Sequence, residues 1–256
     1  MGSFVSSLAF PAPIEPRKFY EEEVLSRKDF VKLQTSLKEY VPAVFVVSKR
    51  PTNDKVIIYS HGNAEDLGLH MDYIEELADV TGCSVLTYEY VGYSLSRIDD
   101  GKSPSESGCY RSVECAWAYL VNEKNIEPTN IIIFGRSIGS GPSVHLAASK
   151  SNGGLFLQSP IASGAKVLFG LNAWIPNVAK RLDIFKNYEK IASVTSKVAI
   201  THGNADEVVP VENGQYLLSR VPEKLRFDDG LWLKGFGHND MPEDRIFEYV
   251  NKFVKG

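Results

Sequence analysis

The fold of this chain is decided by one stretch, Ile131-Ile132-Ile133-Phe134-Gly135-Arg136-Ser137-Ile138-Gly139-Ser140-Gly141. It opens with four bulky apolar residues, which is typical of a buried strand, and breaks at Gly135. An amphipathic helical pattern follows the second glycine. In this Gly-x-Ser-x-Gly pattern a tight turn lifts the serine oxygen clear of the sheet, and the next helix points its positive end at it. We therefore predict that Ser137 is a nucleophile. The alternative is a glycine-rich turn whose serine only caps the helix.

Composition narrows the classes of protein that fit. A chain of 256 residues with 43% hydrophobic content suits one α/β domain. The net charge of −4 argues against a nucleic-acid partner, because phosphate binding needs a basic surface. The three cysteines, Cys83, Cys109 and Cys115, predict neither a disulfide framework nor a metal site and favour a cytoplasmic location. We expect no secretory leader and no membrane span, since no apolar run approaches about 20 residues.

The N-terminus carries a modification pattern. Residues Met1 to Ser6 fit Met-Gly-x-x-x-Ser/Thr, which predicts N-myristoylation of Gly2. The alternative is that Met-Gly-Ser is a cloning remnant. One myristoyl chain binds membranes only marginally, with a constant of about 10⁴ M⁻¹, so peripheral membrane contact would need a second signal. We predict an N-terminal arm over residues 1–35 and a single domain over residues 36–256.

Strands and helices alternate along that domain. The predicted strands cover residues 43–47, 56–59, 84–90, 131–134, 155–157, 197–201 and 231–233. Helical patterns separate most of them, which predicts an α/β fold with a mostly parallel sheet covered by helices on both faces. Ligands of such sheets bind at the carboxyl ends of the strands. Residues 159–187 interrupt the alternation and are predicted to form a short cap insertion.

Polar motifs at strand ends supply the partners that a serine nucleophile needs. Asp206 and His238 follow the last two predicted strands, which completes the order Ser…Asp…His of an α/β-hydrolase. Histidine can act as the general base near neutral pH, and a carboxylate can fix its tautomer and stabilise the imidazolium. The acids that compete with Asp206 for this role are Asp183, Glu207 and Asp240.

The remaining roles fall to backbone groups and other histidines. We predict that the backbone N–H groups of Ile138 and Asn63 stabilise the oxyanion. His61 is expected to shape its loop, and His202 to support the Asp206 turn. His70 and His145 lie on helical stretches and are expected to be partly exposed. No metal-ligand spacing is present, and the mechanism needs neither a metal nor a cofactor.

Several of these motifs also match one known family. The matching pieces are Tyr59-Ser60-His61-Gly62-Asn63-Ala64, Asp66-Leu67-Gly68, Tyr88-Glu89-Tyr90-x-Gly92-Tyr93, Gly135 to Pro142, Ser159 to Gly164, Asp183 to Asn187, His202-Gly203-x-x-Asp206-Glu207-Val208-Val209 and Gly237-His238-Asn239-Asp240. Over roughly residues 40–256 the chain resembles subgroup 17 of the α/β-hydrolase-domain proteins, serine hydrolases that remove palmitate from membrane-associated proteins. The resemblance implies a catalytic triad of Ser137, Asp206 and His238.

The chain departs from that family at two places. The relatives begin with a palmitoylated cysteine cluster that anchors them, whereas this chain has no such cluster and Gly2 would be a different anchor. Their loop usually reads Tyr-Asp-Tyr-x-Gly-Tyr-Gly, and here Glu89 and Ser94 replace the aspartate and the last glycine. Both departures leave the predicted triad intact.

The cap insertion bears on the substrate. It contains an apolar cluster in which Phe169 and Trp174 are predicted to accept an acyl chain; the alternative is that the cluster packs onto the domain. We expect a serine hydrolase that cleaves esters or thioesters of long-chain acyl groups through an acyl-enzyme on Ser137. Its partner would be an acylated small molecule or an acylated protein, with protein depalmitoylation as one activity. The alternatives are a short-chain carboxylesterase, a prolyl-type serine peptidase and a non-catalytic binding protein.

Overall fold

The structure, a computed structural model, describes residues 15–63, 65–171 and 183–256. The chain divides into two compact units, Met1–Ile131 and Ile132–Gly256. The described residues contain eight strands that belong to a mostly parallel sheet, with helices between them along the chain. The predicted α/β class is therefore confirmed. No helix in these residues is long and apolar enough to cross a bilayer.

The first unit combines antiparallel and parallel strand pairs. Its elements are α1 Arg17–Tyr20, a π-helical turn Glu21–Leu25, β1 Phe30–Gln34, β2 Tyr40–Val46, β3 Val56–Ser60, α2 Met71–Thr81, β4 Ser84–Tyr88, α3 Ser94–Asp100, α4 Glu106–Ala118 and a second π-helical turn, Tyr119–Glu123. The strand order is β1-β2-β4-β3, in which β3 and β4 run parallel and the other two pairs run antiparallel. All five residues of β3 are buried, as expected for a strand of continuous apolar composition.

Two elements of this unit differ from the prediction. β1 lies inside residues 1–35, which were predicted to be an arm, so the sheet begins before residue 36. Only one residue of β1 is buried, so its apolar pattern carries little signal. The helix α3 directly follows the predicted strand 84–90 and its Gly92-Tyr93 turn, where no helix was predicted. It is only seven residues long and is capped by Gly101, which has a left-handed φ of 64°.

The second unit is an all-parallel half-sheet. Its elements are β5 Ile131–Arg136, a 3₁₀ turn Ser137–Gly139, α5 Ser140–Ser149, β6 Gly154–Gln158, α6 Gly164–Phe169, α7 Asn187–Lys190, β7 Val198–Gly203, α8 Glu212–Arg220, β8 Leu231–Leu233 and α9 Glu243–Lys255. Its strands lie in the order β5-β6-β7-β8, each parallel to the next. Their carboxyl ends therefore share one edge, and the loops that follow β5, β7 and β8 meet there.

The core of the second unit explains why its strands read as continuous apolar runs. Every residue of β6 and β7 is buried, and so are five of the six residues of β5. Phe156 of β6 packs against Phe134, with ring centroids 4.8 Å apart, and against Tyr249 and Phe253 of α9. Strands covered in this way need apolar side chains facing both directions, which removes the alternation seen in half-exposed strands.

Candidate active site

The turn after β5 holds Ser137 in a strained conformation. Its φ is 53°, in the left-handed region that residues other than glycine rarely adopt. A Cβ atom at Gly135 would lie 2.6 Å from both the carbonyl oxygen of Gly139 and the Oγ of Ser143, so a side chain does not fit there. The turn is therefore as tight as the Gly-x-Ser-x-Gly pattern predicts, and α5 begins directly after it.

A chain of hydrogen bonds links three of the predicted side chains. His238 Nε2 lies 2.9 Å from Ser137 Oγ, and His238 Nδ1 lies 2.7 Å from Asp206 Oδ2. The other carboxylate oxygen, Asp206 Oδ1, accepts from the backbone N–H groups of Val208 and Val209 at 2.9 and 2.8 Å. The loops after β5, β7 and β8 thus bring together a hydroxyl, an imidazole and an oriented carboxylate.

The hydrogen-bond partners of His238 and Asp206 determine where the protons of these two side chains lie. A carboxylate only accepts, so the hydrogen of His238 belongs on Nδ1, and Nε2 is left to accept the serine proton. Burial alone would raise the pKa of Asp206. Hydrogen bonds from His202, His238 and the Val209 amide outweigh burial and hold the pKa of Asp206 well below its usual range. Asp206 is therefore ionised at neutral pH and can balance an imidazolium.

The competing acids occupy other positions. Asp183 Oδ1 accepts from the backbone N–H of Ala165 at 2.7 Å, at the start of α6. Asp240 Oδ1 accepts from the backbone N–H of Gly237 and so supports the turn that carries His238. Glu207 is exposed. Of the four candidate acids, Asp206 has the geometry to act on His238.

A buried polar group, Ser140, lies beneath the elbow, which is the tight turn Ser137–Gly139 between β5 and α5. Ser140 Oγ donates to the carbonyl oxygen of Ser137 at 2.6 Å and accepts from the Ile161 amide and from Asn187 Nδ2, both at 3.2 Å. Asn187 Nδ2 also donates to the carbonyl oxygen of Ile161 at 2.9 Å. Through Ser140, these bonds tie the strained turn to segments that lie 21 and 47 residues after Ser140. A local pattern could not indicate them.

The two predicted oxyanion donors lie in different units. Ile138 directly follows Ser137 in the 3₁₀ turn of the second unit. Asn63 belongs to the loop after β3 in the first unit, where its Oδ1 accepts from the Tyr93 hydroxyl at 2.6 Å. Tyr90 steadies the same loop, since its hydroxyl donates to the carbonyl oxygen of His61 at 2.7 Å. The oxyanion role of Ile138 and Asn63 stays a prediction.

The two family departures in the first unit contact each other. Glu89 is fully buried and accepts from the backbone amides of Leu67 and Tyr90 at 3.1 and 2.9 Å. The Ser94 hydroxyl also donates to it. Ser94 has a φ of 33°, at a position where the family pattern has glycine. The serine hydroxyl therefore gives the buried glutamate a further donor while the backbone keeps a glycine-like conformation.

The other histidines have structural partners. His61 Nδ1 lies 2.8 Å from the carbonyl oxygen of Gly62, and its Nε2 lies 2.9 Å from Glu89, so the predicted loop-shaping role is confirmed. The predicted exposure of His70 is wrong. This residue is buried at the start of α2 with its Nε2 2.8 Å from Thr87 Oγ1, and burial lowers its pKa.

The described part of the cap presents apolar side chains to solvent. Leu168 and Phe169, at the end of α6, are 78% and 58% exposed. The alternative that the cluster packs onto the domain therefore does not hold for these two residues. Trp174, the second predicted acyl contact, and Gly2, the predicted acylation site, lie outside the described residues.

Comparisons with known proteins agree with the fold. No model of a protein family matches the chain. Human alpha/beta hydrolase domain-containing protein 17B is 37% identical over 215 residues, which are 83% of this chain and 70% of the relative. The 17C protein of Xenopus laevis is 34% identical over 224 residues, covering 87% and 68% of the two chains. The esterase Pf2001 of Pyrococcus furiosus superposes with a TM-score of 0.68 at 16% identity, over 96% of this chain and 98% of that one.

The fold is that of an α/β hydrolase, which confirms the predicted fold class. At this level of identity and coverage the chain belongs to the alpha/beta hydrolase domain-containing protein 17 family, as the sequence motifs indicate. Membership in this family supports the assignment of the chain as a hydrolase.

Proposed function

We propose that this hydrolase cleaves acyl ester or thioester bonds through an acyl-enzyme on Ser137. The observation that carries the proposal is the hydrogen-bond chain from Ser137 Oγ through His238 to Asp206, with distances of 2.9 and 2.7 Å. The strained backbone at Ser137 supports the proposal as well, because strained conformations are found mainly at active sites and this turn presents a nucleophile at a strand end.

The proposed reaction has two halves. His238 Nε2 takes the proton of Ser137 as the oxygen attacks the acyl carbon, and Asp206 stabilises the resulting imidazolium. His238 then passes the proton to the leaving alcohol or thiol, which leaves the acyl group on Ser137. In the second half a water molecule gives a proton to His238 Nε2 as its oxygen attacks the acyl carbon. The bond from the acyl carbon to Ser137 Oγ then breaks, the acid leaves, and His238 returns the proton to Ser137 Oγ. The backbone N–H groups of Ile138 and Asn63 are the proposed donors to the oxyanion.

We propose long-chain acyl groups as the substrate class, with palmitoyl thioesters of proteins included. Two observations support this. The end of α6 exposes Leu168 and Phe169, which could cover an acyl chain. The motifs that the chain shares with the depalmitoylating subgroup run through the whole site. Acylation of Gly2 and peripheral membrane contact remain predictions.

The direct test compares acyl thioesters and esters from acetyl to palmitoyl, with Ser137→Ala as the blank and Ser149→Ala, an exposed serine of α5, as the matched control. We expect rates that rise with chain length and vanish only in Ser137→Ala, together with covalent labelling of Ser137 by a fluorophosphonate probe. Activity on short chains alone would leave a small-ester hydrolase. Cleavage of a proline peptide would indicate a peptidase, and absence of labelling in the folded chain would indicate a binding protein.

The substrate class has its own test. Phe169→Ala should lower kcat/KM for palmitoyl esters by about tenfold or more, because a ring covered by an acyl chain contributes about 1.5–3 kcal/mol, and should leave acetyl esters nearly unchanged. Leu37→Ala removes another exposed apolar side chain, from the first unit, and serves as the control. An equal effect of Phe169→Ala on both esters would contradict the acyl contact.

A further inference from the structure

We infer that His202 is a positioning residue for the proposed triad, because it donates a second hydrogen bond to the same carboxylate oxygen of Asp206 that accepts from His238. This inference rests on the proposed function and adds a residue to it. His202 lies in β7, four residues before Asp206, and its side chain is fully buried.

The hydrogen position on His202 follows from its partners. Its Nε2 lies 2.8 Å from the carbonyl oxygen of Val209 and 3.1 Å from Asp206 Oδ2. A carbonyl oxygen only accepts, so Nε2 must carry a hydrogen. The same N–H is shared between the carbonyl and the carboxylate, an arrangement that both distances permit.

The other ring nitrogen decides the charge of His202. Nδ1 is buried and has no hydrogen-bond partner among the described residues. It faces Gly214 of α8, where a Cβ atom would lie 2.7 Å from it. A hydrogen on Nδ1 would be a buried donor without an acceptor, which costs more than a bare lone pair in the same place. His202 is therefore the neutral tautomer with its hydrogen on Nε2.

A neutral donor suits this position. Asp206 accepts from His202 and His238 at Oδ2 and from Val208 and Val209 at Oδ1, so four donors fix the plane of the carboxylate. A cation at His202 would compete with the imidazolium of His238 for the same charge. A neutral N–H only shares the carboxylate oxygen, so Asp206 stabilises the His238 imidazolium less strongly and Nε2 passes its proton more readily to the leaving group.

The charged groups around this pair stay unchanged when His202 is replaced. Glu207 is the exposed neighbour of Asp206, and Asp240 accepts from the Gly237 amide beside His238. Arg136 Nη2 donates to the Oδ1 atom of Asn239, the residue that follows His238. A change in the pH profile of a His202 variant would therefore report on the hydrogen bond to Asp206.

The test compares His202→Leu with His202→Gln, whose amide N–H can replace the Nε2 donor. We expect His202→Leu to lower kcat for a short-chain ester about tenfold to a hundredfold, the usual range for losing a hydrogen bond to a charged group. In His202→Leu the acid limb of the plot of kcat/KM against pH should move to higher pH. His202→Gln should restore most of the rate and return the acid limb towards its wild-type position. His145→Gln, on α5, is the matched control.

The outcomes separate this inference from the proposed function. If a folded His202→Leu chain kept the wild-type acid limb and a kcat within about twofold of wild type, the positioning role would be overturned. Labelling of Ser137 would in that case still support the proposed hydrolase. If His202→Leu does not fold, Gly214→Ala gives the second measurement, because its Cβ displaces the ring from the Nδ1 side and should move the same limb. A wild-type chain that neither hydrolyses esters nor takes the label would overturn both.

Discussion

Replacing Asp206 by asparagine removes a charge from the proposed triad and nearly keeps the shape of the side chain. Asp206 Oδ1 accepts from the backbone N–H groups of Val208 and Val209, so the amide oxygen of the asparagine must take that place. The amide nitrogen then occupies the Oδ2 position, 2.7 Å from His238 Nδ1 and 3.1 Å from His202 Nε2. An amide nitrogen donates and cannot accept, so His238 must adopt the tautomer with hydrogen on Nε2.

That tautomer disables the general base. With a hydrogen on Nε2, His238 has no lone pair to accept the proton of Ser137, 2.9 Å away. The same replacement in a serine protease triad lowers kcat about 10⁴-fold, which corresponds to about 5.5 kcal/mol of transition-state stabilisation. We expect a loss of the same order here. The Nε2 hydrogen of His202 would also face the new amide hydrogens and add to the cost.

The assay is hydrolysis of a chromogenic short-chain ester at neutral pH. Glu207→Gln is the matched control, because it removes the same charge from the exposed neighbouring residue, and its kcat should stay within about twofold of wild type. Melting temperatures of both variants establish that they fold. If Asp206→Asn kept more than a tenth of the wild-type kcat in a folded chain, the assignment of Asp206 as the acid would be wrong.

Three further predictions concern stability. Burial would raise the pKa of Asp206, but hydrogen bonds from two histidines hold it well below the value of about 3.9 in an unfolded chain. The stabilisation by ionised Asp206 is therefore complete above about pH 5 and is lost as the pH falls. In Asp206→Asn the unfolding free energy from urea titrations should depend less on pH below about pH 5 than it does in the wild type. Gly141→Ala would overlap the buried ring of Phe185 and should cost about 1–3 kcal/mol in the same titrations, so an unchanged midpoint would contradict the packing. Asn187→Ala removes a donor to Ser140 beneath the elbow and should cost about 1–3 kcal/mol and lower kcat more than it changes KM; a variant as stable and active as wild type would show that this bond is unimportant.

Much of the fold could be predicted because its signals are local. The strands β3, β5, β6 and β7 are short apolar runs bounded by turn residues, and burial on both faces makes such runs necessary. The helices α2 and α9 likewise bury apolar residues that recur at helical spacing in the sequence. Each of these elements buries a face that its own sequence already shows.

The elements that were missed lack such a face. β1 buries one residue of five and is held mainly by its backbone pairing with β2. The helix α3 begins at Ser94, whose φ of 33° and hydrogen bond to Glu89 depend on a carboxylate from a neighbouring strand end. In both cases a contact with a neighbouring segment, rather than an apolar face of the element itself, decides the conformation.

For the candidate site, the residue types could be predicted and their surroundings could not. A Gly-x-Ser-x-Gly turn, an aspartate and a Gly-His pair after successive parallel strands are local features, and they indicate which side chains gather at one sheet edge. The hydrogen bond of Ser140 to Asn187 joins residues 47 positions apart, and no local pattern marks it, whereas the expected support of the Asp206 turn by His202 is confirmed by its bond to Asp206. The predicted partial exposure of His70 is wrong because its partner, Thr87 of β4, lies 17 residues further along the chain.

The sequence by itself determined the fold class and the family and indicated Ser137, Asp206 and His238 for the proposed triad, because each depends on local patterns of apolarity, glycine and strand ends. Only the tertiary structure decided which of the four candidate acids meets His238, which tautomer His202 adopts and how the Ser137 turn is supported from beneath. Those outcomes depend on distances of about 3 Å between residues far apart in the chain. Which donor pairs with which acceptor is decided only when packing brings the two groups to such distances.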